Sequence, residues 1–497
     1  MIKQLLASIL TALFYVSGFE PFGIAIAPLF CLVYLFYFAL NHSPKKTAIF
    51  YYLFGFFCFS IGLYWLYISI HIVSGSPLWL AILLIGFLSG VMAIFYCLIG
   101  YIISYAYQLF KSKYLILTLL APAIWTLSEL LRGYAFTGFT WLTIGYSQSS
   151  TFLSAWAPIG GVYLVSFFVS LIAGHFLLIS SRIRPLLSLF GVLMIIGSSF
   201  FIRPIEWTER VNKEFSVALV QGAVAQEKKW LTTEFIRTLT LYRNSLLDLE
   251  NTNLVIWPEV AIPAYAENVE GYLDELEGIL KNQNIDLLML GINTKGKNDE
   301  VFNSVITLGS DDNRVYHKRH LVPFGEYFPV PSFVREWLQQ MNLPNRDISK
   351  GSEDQEMPKL NEYFIATSIC YEDIFGYELH DFMPLANVLV NVTNNAWFGE
   401  SIASSQHFQM SRMRAIETGR YLLRSTNTGI TAIVMPDGNI QKELEPYNFS
   451  ILKGNFYPMK GETPYSRFGD LFVILLMTLI MTLGCFIGML RLKNKNV

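Results

Sequence analysis

The sequence predicts a multi-span α-helical membrane bundle of about eight helices, interrupted by one inserted α/β domain. Hydrophobic residues fill 53% of the 497 positions and charged residues only 15%, whereas a soluble domain carries about 25% charge. Residues 1–203 and 491–497 hold twelve Lys or Arg and two Asp or Glu, but residues 204–470 hold 24 and 36. An acidic domain therefore lies between basic apolar segments. The net charge of −2 excludes a basic nucleic-acid-binding protein.

The apolar segments carry the prediction of membrane spans. Runs of about 20 apolar residues are long enough to cross a bilayer as helices. Seven runs precede the acidic domain and one follows it. Residues 1–203 are thus predicted as a seven-helix bundle, 204–467 as the inserted domain, and 468–497 as a final helix with a basic tail. The eight runs lie near residues 4–17, 23–40, 48–69, 78–108, 114–131, 161–180, 186–202 and 468–490.

Basic residues predict the orientation of the bundle. Cytoplasmic loops are enriched in Lys and Arg, so both termini are predicted to be cytoplasmic and the inserted domain to lie on the opposite side. An alternative is a signal peptide cleaved after Ala27, although Pro28 argues against cleavage. The basic residues at the termini and in alternate loops are Lys3, Lys45, Lys46, Lys111, Lys113, Arg182, Arg184, Arg491, Lys493 and Lys495.

The inserted domain alternates short β-prone runs with helical stretches, a pattern typical of α/β sheet domains. Its length of about 260 residues suits one large domain. The predicted helices are 232–250, 269–281 and 405–421, and the predicted strands are 215–220, 253–257, 286–290, 302–308, 364–369 and 386–392.

The cysteines single out one position. Four of the five lie in predicted spans, and only Cys370 lies in the inserted domain. A disulfide in an oxidising compartment needs a partner, and the domain offers none. Cys370 is therefore either an inert buried residue or a reactive thiol.

Polar residues at three strand ends favour the reactive thiol. Cys370 follows the run 364–369, Glu259 follows a second strand, and Lys318 a third. Sites in open α/β sheets form at the carboxyl ends of strands. A carboxylate can take the thiol proton, and a lysine can stabilise an oxyanion. Taken singly, the carboxylate and the lysine could equally be ordinary surface charges.

Longer motifs show a family resemblance. The inserted domain resembles the nitrilase, or carbon–nitrogen hydrolase, superfamily, whose members form α-β-β-α sandwiches and use a Glu-Lys-Cys set. Nearly the whole chain is similar to the apolipoprotein N-acyltransferase family, the membrane-bound members of that superfamily. The segments that carry the resemblance are Trp257–Pro263, Tyr316–Tyr327, Cys370–Glu372, Asn391–Gly399 and Gln406–Gly429, with Trp125–Ser147 in the membrane part.

The resemblance implies roles for three residues. Cys370 corresponds to the acyl-accepting nucleophile, Glu259 to the general base, and Lys318 to the lysine that stabilises the tetrahedral intermediate. The chain departs from some relatives in having Pro258 before the base; proline fixes φ and need not move the glutamate. A second departure is Asn395, to which no role is assigned.

The resemblance also implies a supporting set. Glu326 matches a second essential glutamate, and Tyr371 and Glu372 match residues that flank the nucleophile. Trp230 matches a tryptophan on a mobile arm near the site.

The implied reaction has two steps and follows ping-pong kinetics. A phospholipid donates its acyl chain to Cys370, and the α-amine of a diacylglyceryl-modified apolipoprotein then accepts it. The implied location is the bacterial inner membrane, with the catalytic domain in the periplasm. The protein is expected to be a monomer without cofactor, metal or nucleic-acid partner.

Two alternatives remain open at this point. A membrane-tethered amidase would use the same residues with water as acceptor, although eight spans exceed what an anchor needs. A transporter would be expected to show inverted repeats and charged residues at mid-span, and neither is found in the sequence.

Two charged groups also have open roles. Glu129 and Arg132 form either a structural pair or part of a lipid entry. The group Arg412, Arg414, Glu417 and Arg420 forms either an ion-pair network or a lipid-phosphate site.

Overall fold

Residues 2–309, 313–327, 330, 332–339 and 347–494 are described by a computed structural model of the chain. The chain divides into two units. The apolar unit consists of residues 1–64, 79–206 and 464–497, and the sheet unit consists of residues 65–78 and 207–463.

The apolar unit is helical. Five of its helical stretches have the length and composition needed to cross a membrane, namely Leu78–Phe110, Lys113–Tyr134, Phe152–Ser180, Pro185–Ile202 and Leu471–Lys493. Ile2–Val16 and Ala27–Asn41 are apolar but shorter. A multi-span helical unit is thus confirmed, while the number of eight spans stays a prediction. The α-helices are Ile2–Val16, Ala27–Asn41, Pro44–Gly62, Leu78–Phe110, Lys113–Leu115, Ala121–Tyr134, Ala157–Ser180, Pro185–Ile202, Pro464–Phe468 and Leu471–Lys493.

Short helical turns of other types complete the apolar unit. The π-helix Ile116–Leu120 joins two α-helices, and the 3₁₀ turns Ile144–Gln148 and Phe152–Trp156 precede the helix Ala157–Ser180. Proline occupies the first turn of several helices, where its missing N–H costs no hydrogen bond.

Glu129 and Arg132 stabilise a loop of the apolar unit. Glu129 Oε1 accepts the Ile144 N–H at 2.9 Å. The Arg132 guanidinium donates to the carbonyls of Phe139 and Trp141 at 2.8 and 2.6 Å. Both side chains are buried, so their contacts favour the structural interpretation over a lipid entry.

The sheet unit contains fifteen strands among the described residues. They are β1 Thr208–Arg210, β2 Phe215–Gln221, β3 Leu254–Ile256, β4 Ile262–Tyr265, β5 Leu287–Lys295, β6 Val301–Leu308, β7 Val315–His317, β8 Lys359–Leu360, β9 Tyr363–Ile369, β10 Ala386–Thr393, β11 Leu422–Thr426, β12 Ala432–Val434, β13 Ile440–Glu443, β14 Ser450–Phe456 and β15 Met459–Gly461.

These strands form two large mixed sheets and one small one. The first sheet has the order β14-β2-β3-β5-β6-β7, with β4 also on β5; the second has the order β13-β12-β11-β10-β9-β8. Strands β2, β3 and β5 run parallel, as do β9, β10 and β11. Strand β1 pairs with β15 apart from both sheets.

The two sheets stack face to face. Leu219 and Met289 of the first sheet share one apolar core with Ile365 and Val390 of the second. The hydroxyl of Ser425 on β11 also donates across the interface to the carbonyls of β2 and β3. Burial of two alternating apolar faces against each other is the main stabilising term in such a sandwich.

Helices cover the outer faces of the sandwich. Thr232–Leu247 and Glu270–Gln283 pack on the first sheet, where Tyr242 and Leu276 join a second apolar core with Trp257. Ala403–Thr418 packs beside the second sheet and contacts β11. Shorter helical turns are Gln226–Lys229, Ala266–Asn268, Lys297–Asp299, Cys370–Ile374, Gly376–His380 and Asn395–Phe398, and Ser332–Gln339 is a further helix.

Several boundaries differ from the sequence predictions, and the contacts and backbone explain two of them. The predicted helix 405–421 ends at Thr418, because Gly419 adopts a left-handed φ of +63°. The predicted span 48–69 ends as an α-helix at Gly62, and residues 65–78 belong to the sheet unit. There the Trp65 ring packs at 4.6 Å from that of Phe398.

Candidate active site

Glu259 lies in the loop that follows β3. Its Oε1 accepts a hydrogen bond from Asn303 Nδ2 at 2.7 Å, and the side chain is buried. The next residue, Val260, has a left-handed φ of +44°. Gly291 on β5 permits this turn, since a Cβ there would lie 2.4 Å from the Pro258 carbonyl oxygen. The strand end and the tight turn together fix the carboxylate.

Lys318 directly follows β7, and its backbone N–H donates to the Asn303 carbonyl at 2.8 Å. Its Nζ donates to Glu326 Oε1 at 2.8 Å and lies 3.8 Å from Glu259 Oε1. The side chain is only 1% exposed. Burial would lower the pKa of Lys318, but the two carboxylates and Cys370 outweigh it and raise that pKa well above the ordinary value.

Glu326 is the carboxylate that accepts the hydrogen bond from Lys318 Nζ. Its second oxygen, Oε2, accepts the Val322 N–H at 2.7 Å. The carboxylate is thereby oriented by its own loop, and its charge stays directed at Lys318.

Cys370 lies at the carboxyl end of β9 and opens the 3₁₀ turn Cys370–Ile374. Its φ of +52° is left-handed, a strained conformation for a residue other than glycine. Burial raises the pKa of the Cys370 thiol to about 12, and the Glu259 charge adds to this, while Lys318 and Thr393 oppose it. The thiol is therefore protonated at rest and needs a base to become a nucleophile.

Glu372 ties the nucleophile turn to the loop that carries Lys318. Its carboxylate accepts the N–H of Ile369 at 2.6 Å, the N–H of His320 at 3.1 Å and the Tyr316 hydroxyl at 3.0 Å. The Arg319 N–H also donates to it. Burial raises the pKa of Glu372 to about 7 despite these donors. Its contacts are those of a positioning residue.

Tyr371 and Trp230 are the two aromatic residues of the predicted set. The Tyr371 ring lies 5.6 Å from the His320 ring and 5.0 Å from the Phe375 ring. Trp230 is half exposed and lines a cavity of about 420 Å³ with Pro263 and Tyr265, the segment that follows Glu259.

The structure thus brings together three of the predicted residues, Glu259, Lys318 and Glu326, through ion pairs, and their charges act on the pKa of the fourth, Cys370. It places Glu372 in contact with the strand end before Cys370 and with the loop of Lys318. Trp230 lies beside the segment that follows Glu259. Such a group can accept a thiol proton and stabilise an oxyanion.

Sequence reasoning missed three sets of polar residues around this group. Asn303 binds Glu259, and Lys229 Nζ donates to the Glu259 carbonyl at 3.1 Å. A buried ion network also underlies the nucleophile turn. These positions are far apart in the sequence, and only the sheet order, which the sequence did not define, could have indicated them.

The ion network connects four elements. Asp373 pairs with Arg424 and with His407, at 2.8 Å in each case. Arg424 also donates to Asn391 Oδ1 at 2.6 Å, and Asn391 Nδ2 donates to the Cys370 carbonyl at 3.4 Å. The network thereby supports the turn at Cys370 through the hydrogen bond to its carbonyl.

The arginines near residue 412 serve the scaffold. Arg414 pairs with Glu417 at 3.0 Å within one helix, and both are buried. Arg420 donates to the Ala386 and Gly461 carbonyls at 2.7 and 2.6 Å, and Arg412 to the Gly438 carbonyl at 3.1 Å. These contacts favour the structural interpretation over a phosphate site. Among the residues that the structure describes, no three His, Cys, Asp or Glu side chains cluster as a metal site.

Two family matches define the class of protein. Residues 216–452 match the carbon-nitrogen hydrolase family, and residues 11–175 match the apolipoprotein N-acyltransferase N-terminal domain. The sheet unit is therefore a carbon–nitrogen hydrolase domain, and the chain is a membrane-associated member of that superfamily.

Comparison with whole proteins narrows the class to a family. The chain is 37% identical over 473 residues to the apolipoprotein N-acyltransferase of Methylococcus capsulatus, covering 94% of this chain and 93% of that protein. It is 35% identical over 487 residues to that of Nitrosomonas europaea, with 97% of each covered. The chain belongs to the apolipoprotein N-acyltransferase family, which confirms the resemblance seen in the sequence.

A solved structure is a more distant match. The carbon-nitrogen hydrolase of Helicobacter pylori G27 is 15% identical, with a TM-score of 0.37, and the match covers 49% of this chain and 88% of that one.

Proposed function

We propose that this chain moves a fatty acyl group from a phospholipid, through a thioester on Cys370, to the α-amine of an S-diacylglyceryl-cysteine at the N-terminus of apolipoproteins. One observation carries the proposal. The buried Lys318 lies between two carboxylates, 2.8 Å from Glu326 and 3.8 Å from Glu259, beside a cysteine at a strained strand end.

In the first step, Cys370 attacks the ester carbonyl of the phospholipid. Glu259 accepts the thiol proton, because the high pKa of Cys370 keeps the thiol protonated at rest. Lys318 and the N–H that follows Cys370 stabilise the oxyanion. Collapse of this intermediate expels the lysophospholipid alkoxide, which takes the proton from Glu259, and leaves the acyl group on sulfur.

In the second step, the apolipoprotein amine attacks the thioester carbonyl. Glu259 accepts a proton from the attacking nitrogen and returns it to the departing sulfur. The product is an amide, and the free thiol of Cys370 is restored. Lys318 keeps its positive charge throughout, since Glu326 and Glu259 raise its pKa.

The supporting residues hold these groups in place. Glu326 orients Lys318, and Glu372 joins the Cys370 turn to the Lys318 loop. We assign Tyr371 and Trp230 to the rim, where substrate enters. One chain supplies every residue of the site, which agrees with a monomer.

The location follows from the substrates. Moving a long acyl chain from the bilayer into water would cost on the order of 10 kcal/mol, at about 0.8 kcal/mol per CH₂. A catalytic unit joined to membrane helices avoids this cost. The basic residues of alternate loops support an orientation with both termini in the cytoplasm and the catalytic unit on the periplasmic side of the bacterial inner membrane.

Intact-mass measurement of the purified protein tests the proposal. After incubation with phospholipid vesicles, wild type should gain the mass of one acyl group, and Cys370→Ala should gain none. Addition of a diacylglyceryl-cysteine peptide should then remove the adduct and yield an N-acylated peptide.

The same experiment addresses the amidase alternative. If no adduct forms with phospholipid while small amides are hydrolysed, water is the acceptor and the transferase proposal is wrong. An adduct that only water removes, and the peptide does not, would lead to the same conclusion.

A further inference from the structure

Lys229 is a buried cation in contact with the proposed base. It ends the short helix Gln226–Lys229, and its side chain is buried although its neighbours Lys228 and Trp230 are exposed. A lysine side chain is seldom buried without a partner, because desolvation of its charge costs several kcal/mol. Its burial therefore calls for a role.

The contact is with the backbone of Glu259. Lys229 Nζ donates to the Glu259 carbonyl at 3.1 Å. Burial lowers the pKa of Lys229 to about 8, and the Glu259 charge opposes that shift. The ammonium thus pins the turn in which Val260 has a left-handed φ of +44°.

The other residues that support Glu259 contact different parts of it. Asn303 donates to the carboxylate at 2.7 Å, and Gly291 leaves room for the backbone. The charged groups around the carboxylate are Lys318 at 3.8 Å, with Glu326 beyond it, and the Cys370 thiol. Lys229 adds a second positive charge to this set and fixes the main chain that carries the base.

The helix that carries Lys229 is itself anchored. Gln226 Oε1 accepts from Asn394 Nδ2 at 2.9 Å, and the Val224 N–H donates to Asn427 Oδ1 at 3.0 Å. The Ala223 N–H donates to the Asn427 carbonyl at 2.7 Å. Lys229 is therefore presented to Glu259 from a segment held by the second sheet.

We propose that Lys229 is a further positioning residue of this enzyme, which holds the Glu259 turn by donating from its buried ammonium to the Glu259 carbonyl. The inference rests on the proposed function, since it assigns Glu259 as the base. The carboxylate can take the thiol proton only when this turn keeps it within reach of the sulfur.

The test is the rate of Cys370 acylation, measured as adduct formation over a range of phospholipid concentrations. In Lys229→Met, the limiting rate at pH 7 should fall about ten-fold while the half-saturating phospholipid concentration stays unchanged, because the base is displaced and lipid binding is not. Lys229→Arg keeps a buried cation that donates to the carbonyl and should restore the rate to within about three-fold of wild type. Lys228→Met, an exposed change on the same helix, should stay within two-fold of wild type.

Lys229→Gln separates the two parts of the role. It retains a donor for the carbonyl but no charge, so its limiting rate should fall less than that of Lys229→Met. This variant also keeps the test valid if Lys229→Met does not fold, as judged from its melting curve.

Two outcomes would overturn the inference. A rate loss in the neutral variants that Lys229→Arg does not restore would mean that Lys229 is only structural. Wild-type rates in both neutral variants would mean that it has no role. Failure of wild type to form an adduct would instead count against the proposed function, so the two failures are distinguishable.

Discussion

Two clusters near Cys370 each pair acidic side chains with basic ones. The two clusters are built differently. In the first, Lys318 Nζ is 2.8 Å from Glu326 but 3.8 Å from Glu259. In the second, Asp373 is bound at 2.8 Å by both Arg424 and His407, and at 2.5 Å by the Ser411 hydroxyl.

The difference distinguishes a cluster that is suited to proton exchange from one that supports the fold. Asp373 is saturated by donors. Although burial acts to raise its pKa, His407 and Arg424 hold the pKa of Asp373 below the ordinary value. It therefore has no proton to exchange near neutral pH. Glu259 lies farther from its cation, at 3.8 Å, and in the proposed mechanism it exchanges a proton with the Cys370 thiol.

The largest expected effect comes from removing the cation of the first cluster. Lys318→Met should lower the rate of Cys370 acylation about 10³-fold, because the oxyanion loses its main stabilising charge. Intact-mass kinetics with phospholipid vesicles measure this rate. Lys350→Met removes an exposed lysine and should leave the rate unchanged. A loss of less than ten-fold in Lys318→Met would assign oxyanion stabilisation to other groups.

Disruption of the second cluster should affect stability instead. Asp373→Asn leaves Arg424 buried without its anion, at a cost of about 3–5 kcal/mol. This corresponds to a fall in melting temperature of roughly 10 °C, measured by a thermal scan in detergent. The exposed pair Arg237–Glu234 provides the control, since Glu234→Gln should change the melting temperature by less than about 1 °C. Unchanged melting with lost acylation would mean that Asp373 takes part in the chemistry.

The smallest expected effect concerns the thiol itself. The Glu259 charge raises the pKa of Cys370, so Glu259→Gln should lower that pKa and increase the thiolate fraction. At pH 8, alkylation of Cys370 by iodoacetamide should become about three- to ten-fold faster, although acyl transfer is lost. Peptide mass spectrometry measures the reaction at this cysteine alone.

The exposed Glu270→Gln serves as the matched change and should leave alkylation as in wild type. Slower alkylation in Glu259→Gln would show that Glu259 activates the thiol even at rest, and the contrast between the two clusters would lose its basis.

The strand ends of the site could be predicted from the sequence. The strands before Glu259 and Cys370 are short apolar runs with polar residues immediately after them, and local composition is sufficient to place such ends. The isolation of Cys370 from the four cysteines of the spans depended only on hydropathy.

The supports of the site could not be predicted in this way. Lys229 contacts Glu259 across 30 positions, and Arg424 contacts Asp373 across 51. Such contacts depend on sheet order and on the stacking of two sheets, and residue patterns along one strand do not encode either. The same reason explains why residues 65–78, predicted partly as a span, were not expected in the sheet unit.

The segment 65–78 has a consequence for how the sheet unit can exist on its own. Trp65 donates to Gln406 Oε1 at 3.3 Å, and Ile68 lies against Gly399, so this segment covers a surface that residues 207–463 do not cover themselves. A fragment of residues 207–463 would leave the Phe398 ring without its Trp65 neighbour. The sheet unit is thus discontinuous along the chain, because it includes fourteen residues from the amino-terminal half.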